Sequence, residues 1–276
     1  MQEIQTNDQI VTKEALASFE TCIQCRGCEP ACPSGVPYGS LIEQTRKTLV
    51  QENRILPRWQ RIPFHVLTRP RLLRLLTRLL TIANKVNLIP KRFAIPKNIP
   101  FFNKPLISSG TDVYLFTGCV MDAWQRETHQ AGKRVLEHLG FGVTPTGDRV
   151  PCCGALHTHA GLGTKAREIA ENVIQSLSEN ERPILVDSAG CGAALKDYGH
   201  LLGTDEALSF SSRIFDIHEW VEKHLDTFSV SRKLSIRVAI QDPCHLRHVQ
   251  RSHKAVRKVL EPFVDEVIEL DDDGLC

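Results

Sequence analysis

Apolar runs and helical stripes alternate through the second half of the chain. Val113–Thr117, Ile184–Asp187, Ile236–Gln241 and Val267–Leu270 are apolar runs of four to six residues, the length of a buried strand. Between them Gln125–Leu139, Thr164–Leu177 and Gln250–Leu260 space their apolar residues as helices do. That alternation predicts an α/β module with mostly parallel strands. Upstream, Tyr38–Val50 reads as a helix. Arg69–Leu80 reads as an amphipathic helix with Pro70 in its first turn. In it Arg71, Arg74 and Arg78 recur at i, i+3 and i+7, while Leu72, Leu76 and Leu79 lie together elsewhere.

The α/β half also repeats itself. Cys119, Gln125-Arg126, Lys133–Glu137, Val143 and Cys152 are matched by Cys244, Gln250-Arg251, Arg257–Glu261, Val267 and Cys276. The offset is 125 residues at the start of the unit and 124 from its helix onward. Each unit reads as strand, cysteine turn, helix, strand, cysteine turn. The first continues into Cys153-Gly154, whereas the second stops at Cys276, so the sequence is expected to be truncated at its C-terminus.

Composition narrows the class. Of 276 residues 42% are hydrophobic and 24% charged, which excludes a disordered or collagen-like chain. The net charge of +2 excludes a general nucleic-acid binder, but the charge is segregated. Residues 53–111 hold twelve Lys or Arg, no Asp or Glu, and seven of the fifteen prolines, leaving twenty-two basic against thirty-two acidic residues elsewhere. The first nineteen residues lack the apolar core of a secretory signal, and no run of about 18 apolar residues occurs. A cytoplasmic protein is expected, where clustered thiols are more often metal ligands or redox groups than disulfides. The basic helix, about 22 Å long, is too short for a ~30 Å hydrocarbon layer. Its leucines are expected to pack on the chain itself beneath solvated arginines. The alternatives are docking on an acidic partner subunit and peripheral membrane contact through residues 69–83.

Ten cysteines carry the chemistry. Cys22, Cys25, Cys28 and Cys32, followed by Pro33, fit the run C-x2-C-x2-C-x3-C-P of bacterial [4Fe–4S] ferredoxins at every position. Close spacing lets thiolates wrap one cuboidal cluster, and Gly27 lets the loop approach it. A structural zinc site would instead have two separated cysteine pairs or histidine partners. In two-cluster ferredoxins the fourth cysteine serves the other cluster. Residues 1–21 contain no second run, so truncation at the N-terminus is expected too, the alternative being a single cluster closed by Cys32. Cys119, Cys152, Cys153, Cys191, Cys244 and Cys276 all fall at predicted strand-to-helix turns, the carboxyl edge of an α/β sheet, where ligands bind. They are the candidates for a second cluster, against the plainer reading of Cys119 and Cys244 as small buried hydrophobes. His157, His159 and His245 beside these turns are expected to be satisfied turn histidines. Gly190-Cys191-Gly192 lacks the third glycine of a dinucleotide fingerprint.

The ferredoxin run with Pro33-Ser34-Gly35-Val36, Thr117-Gly118-Cys119, Cys152-Cys153-Gly154-Ala155 and Ser188–Ala193 together resemble the glycolate oxidase iron–sulfur subunit and its cysteine-rich CCG domain. The same domain occurs in heterodisulfide reductase subunits and in lactate and glycerol-3-phosphate dehydrogenase subunits. The resemblance covers about residues 20–276 and implies an electron-transfer subunit with [4Fe–4S] clusters. FAD and the 2-hydroxy-acid chemistry would reside in a partner flavoprotein, and a quinone or other acceptor would take the electrons. Ala194 stands where the heterodisulfide reductase pattern has a further cysteine, which leaves Cys119, Cys152, Cys153 and Cys191 for one ordinary cluster. The expected fold is α+β. A helical ferredoxin-type domain occupies 1–52, a basic connector 53–111, and a CCG domain 112–276, with a first repeat at 112–200 and an incomplete second at 236–276. No residue of this chain is expected to act on substrate directly.

Overall fold

The computed structural model describes residues 11–90, 95–96, 98–228 and 232–270. Among the described residues five α-helices precede the first strand: α1 (Lys13–Thr21), α2 (Cys28–Ala31), α3 (Tyr38–Gln51), α4 (Ile62–Leu67) and α5 (Pro70–Lys85). There follow β1 (Val113–Phe116), α6 (Val120–Trp124), α7 (Arg126–His138), β2 (Val143–Pro145), α8 (Ala155–His159), α9 (Gly163–Ser176) and β3 (Ile184–Val186). The chain continues through α10 (Ala189–Lys196), α11 (Tyr198–Leu202), α12 (Asp205–Ser212), β4 (Ile214–Asp216), α13 (Ile217–Glu222), β5 (Leu234–Ile240), α14 (His253–Leu260) and β6 (Val264–Glu269). The fold is α+β, with every strand pairing among the described residues parallel.

One sheet has the order β2-β1-β3-β4, and β5 pairs with β6 in a second. The period-two alternation of strands sorts their side chains to two faces. Tyr114, Phe116, Ile184 and Val186 pack with Ile169 and Val173 of α9 and Phe210 of α12. Val113, Leu115 and Leu185 face Leu136 of α7 and Val221 of α13. Both faces are therefore covered, which is why the strands read as continuous apolar runs. The chain leaves β1 in one direction to β2 and returns past it to β3, so a topological switch point lies at the carboxyl end of β1.

The predicted helix from Gln250 begins later. His245–Gln250 form a π-helical turn that ends at Arg251 in the left-handed region (φ 56°), and α14 starts at His253. The sequence pattern does not show β4 or the helices around it, because β4 has only two consecutive apolar residues, Ile214 and Phe215, where the equally short β3 has three. The basic helix forms, running on to Lys85, with Arg71 and Arg78 exposed as expected and Leu72 half-buried, but Leu76 and Leu79 do not pack on the chain. Thr77 and Thr81 are buried, while Leu75, Leu76, Leu79 and Ile82 are exposed.

Candidate functional site

Three parallel strands deliver four thiols to one place. β1 ends in Thr117-Gly118, and Cys119 then caps α6. Beyond β2, Cys152 and Cys153 are buried, and Gly154 takes the left-handed conformation (φ 78°) that opens α8. Beyond β3, Ser188 caps α10 and Cys191 lies in its first turn. The Cys119 and Cys152 side chains are hydrogen-bonded, as are those of Cys153 and Cys191. The bond from Cys152 holds the Cys119 thiol at about 7, below its ordinary value and against burial. Cys152 is pushed up, first by that bond and then by burial, and Cys153 is pushed up by its bond to Cys191 and by complete burial. The Gly154 N–H donates to Cys152 Sγ at 3.4 Å. A Cβ on Gly118 would stand 3.6 Å from Cys191 Sγ, so the turn after β1 forms a wall of the thiol group. Tyr198 donates its hydroxyl to the Cys153 carbonyl at 2.8 Å and seals the far side.

The first cysteine run sits across from this group. Cys22 caps the C-terminus of α1, Cys28 starts α2 and Cys32 ends it. Gln24 and Arg26 between them are left-handed (φ 56° and 59°), which turns the loop tightly. The Cys28 thiol is raised, chiefly by burial and further by the charges of Cys25 and Cys22. Cys32 lies in a nest of backbone N–H groups from Val36 and Ser34, with the Tyr38 hydroxyl beside them, which lowers its thiol. Three sulfurs of the run thus share one electrostatic neighbourhood, and the fourth has its own cradle of donors.

Gln24 joins the two groups. Its Nε2 donates to the His159 carbonyl at 3.2 Å, and its Oε1 is hydrogen-bonded to His159 Nδ1. Arg46 of α3 donates to the same carbonyl at 2.7 Å, and also to the carbonyls of Phe19 and Cys22. The backbone after α8 approaches α3 so closely that a Cβ on Gly161 would lie 2.6 Å from the Arg46 oxygen.

A cavity of about 330 Å³ lies along this seam, walled by Glu43 and Lys47 of α3, Asp197 and Tyr198, and reaching Cys153 and Ala194. Burial, reinforced by Asp197, raises the Glu43 carboxyl to about 7, and burial lowers the His159 imidazole to about 4. Their 3.9 Å contact is therefore between neutral groups from about pH 4 to 7.

The turn bearing Cys244 reaches the same region. Gln250 Nε2 donates to the Ala189 carbonyl at 2.9 Å, and its side chain fills the space a Cβ on Gly192 would take. The His245 ring lies 5.4 Å from that of His159. Cys276 lies outside the described residues. Of the three turn histidines, His159 is partnered as expected, whereas His157 Nδ1 and His245 Nε2 are buried with no hydrogen-bond partner among the described residues. Nothing in the sequence motifs marks Gln24, Glu43 or Tyr198. Arg46 does carry a signal: with Ile42, Thr45 and Leu49 it falls on the buried stripe of α3.

Among the described residues, no three His, Cys, Asp or Glu side chains gather closely enough to hold a single metal ion. An all-thiol donor set of four, paired by hydrogen bonds and approached by a backbone N–H, fits an iron–sulfur cluster better than a mononuclear ion.

Residues 113–196 match the cysteine-rich domain named CCG. The chain is 29% identical to the glycolate oxidase iron-sulfur subunit of Escherichia coli, over 96% of this chain and 68% of that protein. It is 30% identical to a probable glycolate oxidase iron-sulfur subunit of Bacillus subtilis, over 88% of this chain and 63% of the relative. A subunit of the fumarate reductase (CoM/CoB) of Methanothermobacter marburgensis is 29% identical over 60% of this chain and 32% of its own length. No solved structure matches the chain. The resemblance carried by the cysteine motifs is borne out.

Proposed function

We propose that this chain, a CCG-domain protein similar to glycolate oxidase iron–sulfur subunits, is the iron–sulfur electron-transfer subunit of a flavin-dependent 2-hydroxy-acid dehydrogenase acting on glycolate. The observation that carries the reading is the Gln24–His159 junction, which ties a ferredoxin-type run to a four-thiol group of which Cys152 and Cys153 are buried. Cys22, Cys25, Cys28 and Cys32 would supply ligands to one [4Fe–4S] cluster, and Cys119, Cys152, Cys153 and Cys191 to a second, with Cys244 and Cys276 as further candidates. Bound clusters supply reversible one-electron storage.

The residues of this chain hold the thiolates in place. The Gly154 N–H and the Ser34 and Val36 amides favour charged sulfur, while Tyr198 and the α9 side chains pack against Cys153. Glycolate oxidation and FAD belong to a partner flavoprotein in this reading, and electrons leave to a quinone or another acceptor. A location in the cytoplasm or on the inner face of the cell membrane agrees with it: no helix of the described residues is long and apolar enough to cross a membrane.

One observation favours a second reading, a heterodisulfide reductase-like thiol–disulfide subunit. The cavity reaches Cys153 beside Ala194, leaving room for a small disulfide next to the thiols. A lactate or glycerol-3-phosphate dehydrogenase subunit would differ from the first reading only in the partner's substrate.

The deciding experiment is anaerobic preparation followed by iron, sulfide and zinc analysis and EPR after reduction. About eight irons with equal sulfide are expected for two clusters, and about four in each of Cys25→Ser and Cys153→Ser. Zinc without sulfide overturns the electron-transfer reading. Turnover of a disulfide by the reduced chain, without electron uptake from a reduced flavoprotein, would favour the second reading.

A further inference from the structure

The helix α5 buries Thr77 and Thr81 and leaves a second apolar stripe outside. Thr77 and Thr81 face the protein, where Trp124 Nε1 donates to Thr77 Oγ1 at 3.1 Å and Thr81 Oγ1 donates to the Thr77 carbonyl at 2.9 Å. Arg74 clamps the helix to Asp148 through two bonds of 2.7 and 2.6 Å. Leu75, Leu79, Ile82 and Val86, spaced i, i+4, i+7 and i+11, form an outward stripe, each between 47% and 59% exposed. At 1.5 Å per residue the stripe is about 16 Å long. Arg71, Arg78 and Lys85, seven residues apart and all exposed, run along one edge of it.

The surroundings continue the pattern. Phe102, 72% exposed, lies under the Arg78 guanidinium at 4.9 Å. Trp59 and Ile62 are exposed beside Arg58 and Arg61 in the turn leading into α4. Residues 53–111 carry ten of the seventeen exposed large hydrophobic side chains among the described residues. The same segment holds twelve cations and no anion.

We propose that this outer face of α5 rests on an anionic lipid bilayer, with the aliphatic stripe in the acyl boundary and the basic row at the headgroups. Two features select lipid over a protein partner. The stripe is aliphatic with Phe102 and Trp59 beside it, the Leu, Phe and Trp composition of a helix lying in a membrane interface. A segment with cations alone complements a surface of one sign, as an anionic leaflet presents. A fixed helix also spends little ordering entropy on docking, since its inner face already holds it in place. The proposal is independent of the cluster reading.

The test uses the full chain with its iron and sulfide measured, so that failure of vesicle binding and failure of cluster assembly are told apart. Sedimentation with phosphatidylcholine vesicles containing about 30% phosphatidylglycerol should exceed that with phosphatidylcholine alone, and should weaken steeply between about 0.05 and 0.5 M salt. Leu79→Asp/Ile82→Asp should lower binding about tenfold or more with iron content unchanged and the thermal midpoint lowered by only a few degrees, because both side chains are already about half exposed. Arg71→Glu/Arg78→Glu should abolish the preference for anionic vesicles. Equal sedimentation with both vesicle types overturns the proposal. So does binding that survives the double aspartate variant, or loss in that variant of a flavoprotein partner while vesicle binding persists.

Discussion

Gln24 and His159, 135 positions apart, hold each other through both side chain and backbone: the amide donates to the His159 carbonyl and accepts the imidazole at its oxygen. Gln24 is buried and left-handed, so the loop that presents Cys22 and Cys25 is shaped around this contact. Gln24→Ala should cost about 1–3 kcal/mol, the range for lost hydrogen bonds that leave a buried group short of a partner. Urea unfolding measures the loss. Iron retention should fall at the same time, since the residue lies between two candidate ligands.

Arg46 acts as a five-donor staple. It reaches the last carbonyls of α1, the Cys22 carbonyl and the His159 carbonyl from one planar fork. A positive group there also meets the negative end of the α1 dipole. Lysine keeps the charge but not the fork. Arg46→Lys should therefore lower stability by about 2–4 kcal/mol, and a variant as stable as the parent would show that charge alone suffices.

Glu43 gives the seam a pH dependence. Burial raises its carboxyl to about 7, so the folded chain keeps a proton that the unfolded chain releases near 4.5. Between those values the unfolded state binds fewer protons, and stability falls as pH rises, levelling off above about 7. Asp197, raised by burial on the facing wall, adds to the fall with the same sign. Glu43→Gln should remove most of the Glu43 part, gaining roughly 2–3 kcal/mol over the parent at pH 8 and little at pH 4. Urea midpoints at pH 4, 6 and 8 check it, and parallel pH profiles would disprove it.

The cysteine positions were legible because thiols at strand-to-helix turns of a parallel sheet must converge at its carboxyl edge, and Cys119, Cys152, Cys153 and Cys191 do so. The strands β1 and β3 and the helices α7 and α9 were equally plain, each presenting one or two buried faces, and β5 was legible from its apolar run although most of it is exposed. What joined the two cysteine groups was not legible. Gln24 occupies a spacer position in its motif, and nothing local distinguishes a spacer that reaches a distant carbonyl from one that faces water. Periodicity has a further blind spot, which α5 exposes. It locates an apolar stripe, but whether the stripe turns inward depends on what the opposite face can bind, here the Trp124 indole and Asp148.

The threonine face offers the sharpest check on that placement. If Leu75 and Leu79 belonged inside, Thr77 would lie on the opposite face in water, and an apolar residue there would hardly change stability. The structure requires the opposite. Thr77 Oγ1 accepts the Trp124 indole N–H, five residues beyond Cys119, and Thr77→Val keeps the shape while leaving that donor unpaired. The expected loss is about 1–2 kcal/mol, with Trp124 fluorescence shifted as its hydrogen bond is broken. Leu79→Ala, on the exposed side, should change stability by less than about 0.5 kcal/mol. A Thr77→Val variant as stable as the parent together with a strongly destabilised Leu79→Ala would place the leucines inside and remove the surface on which the lipid proposal stands.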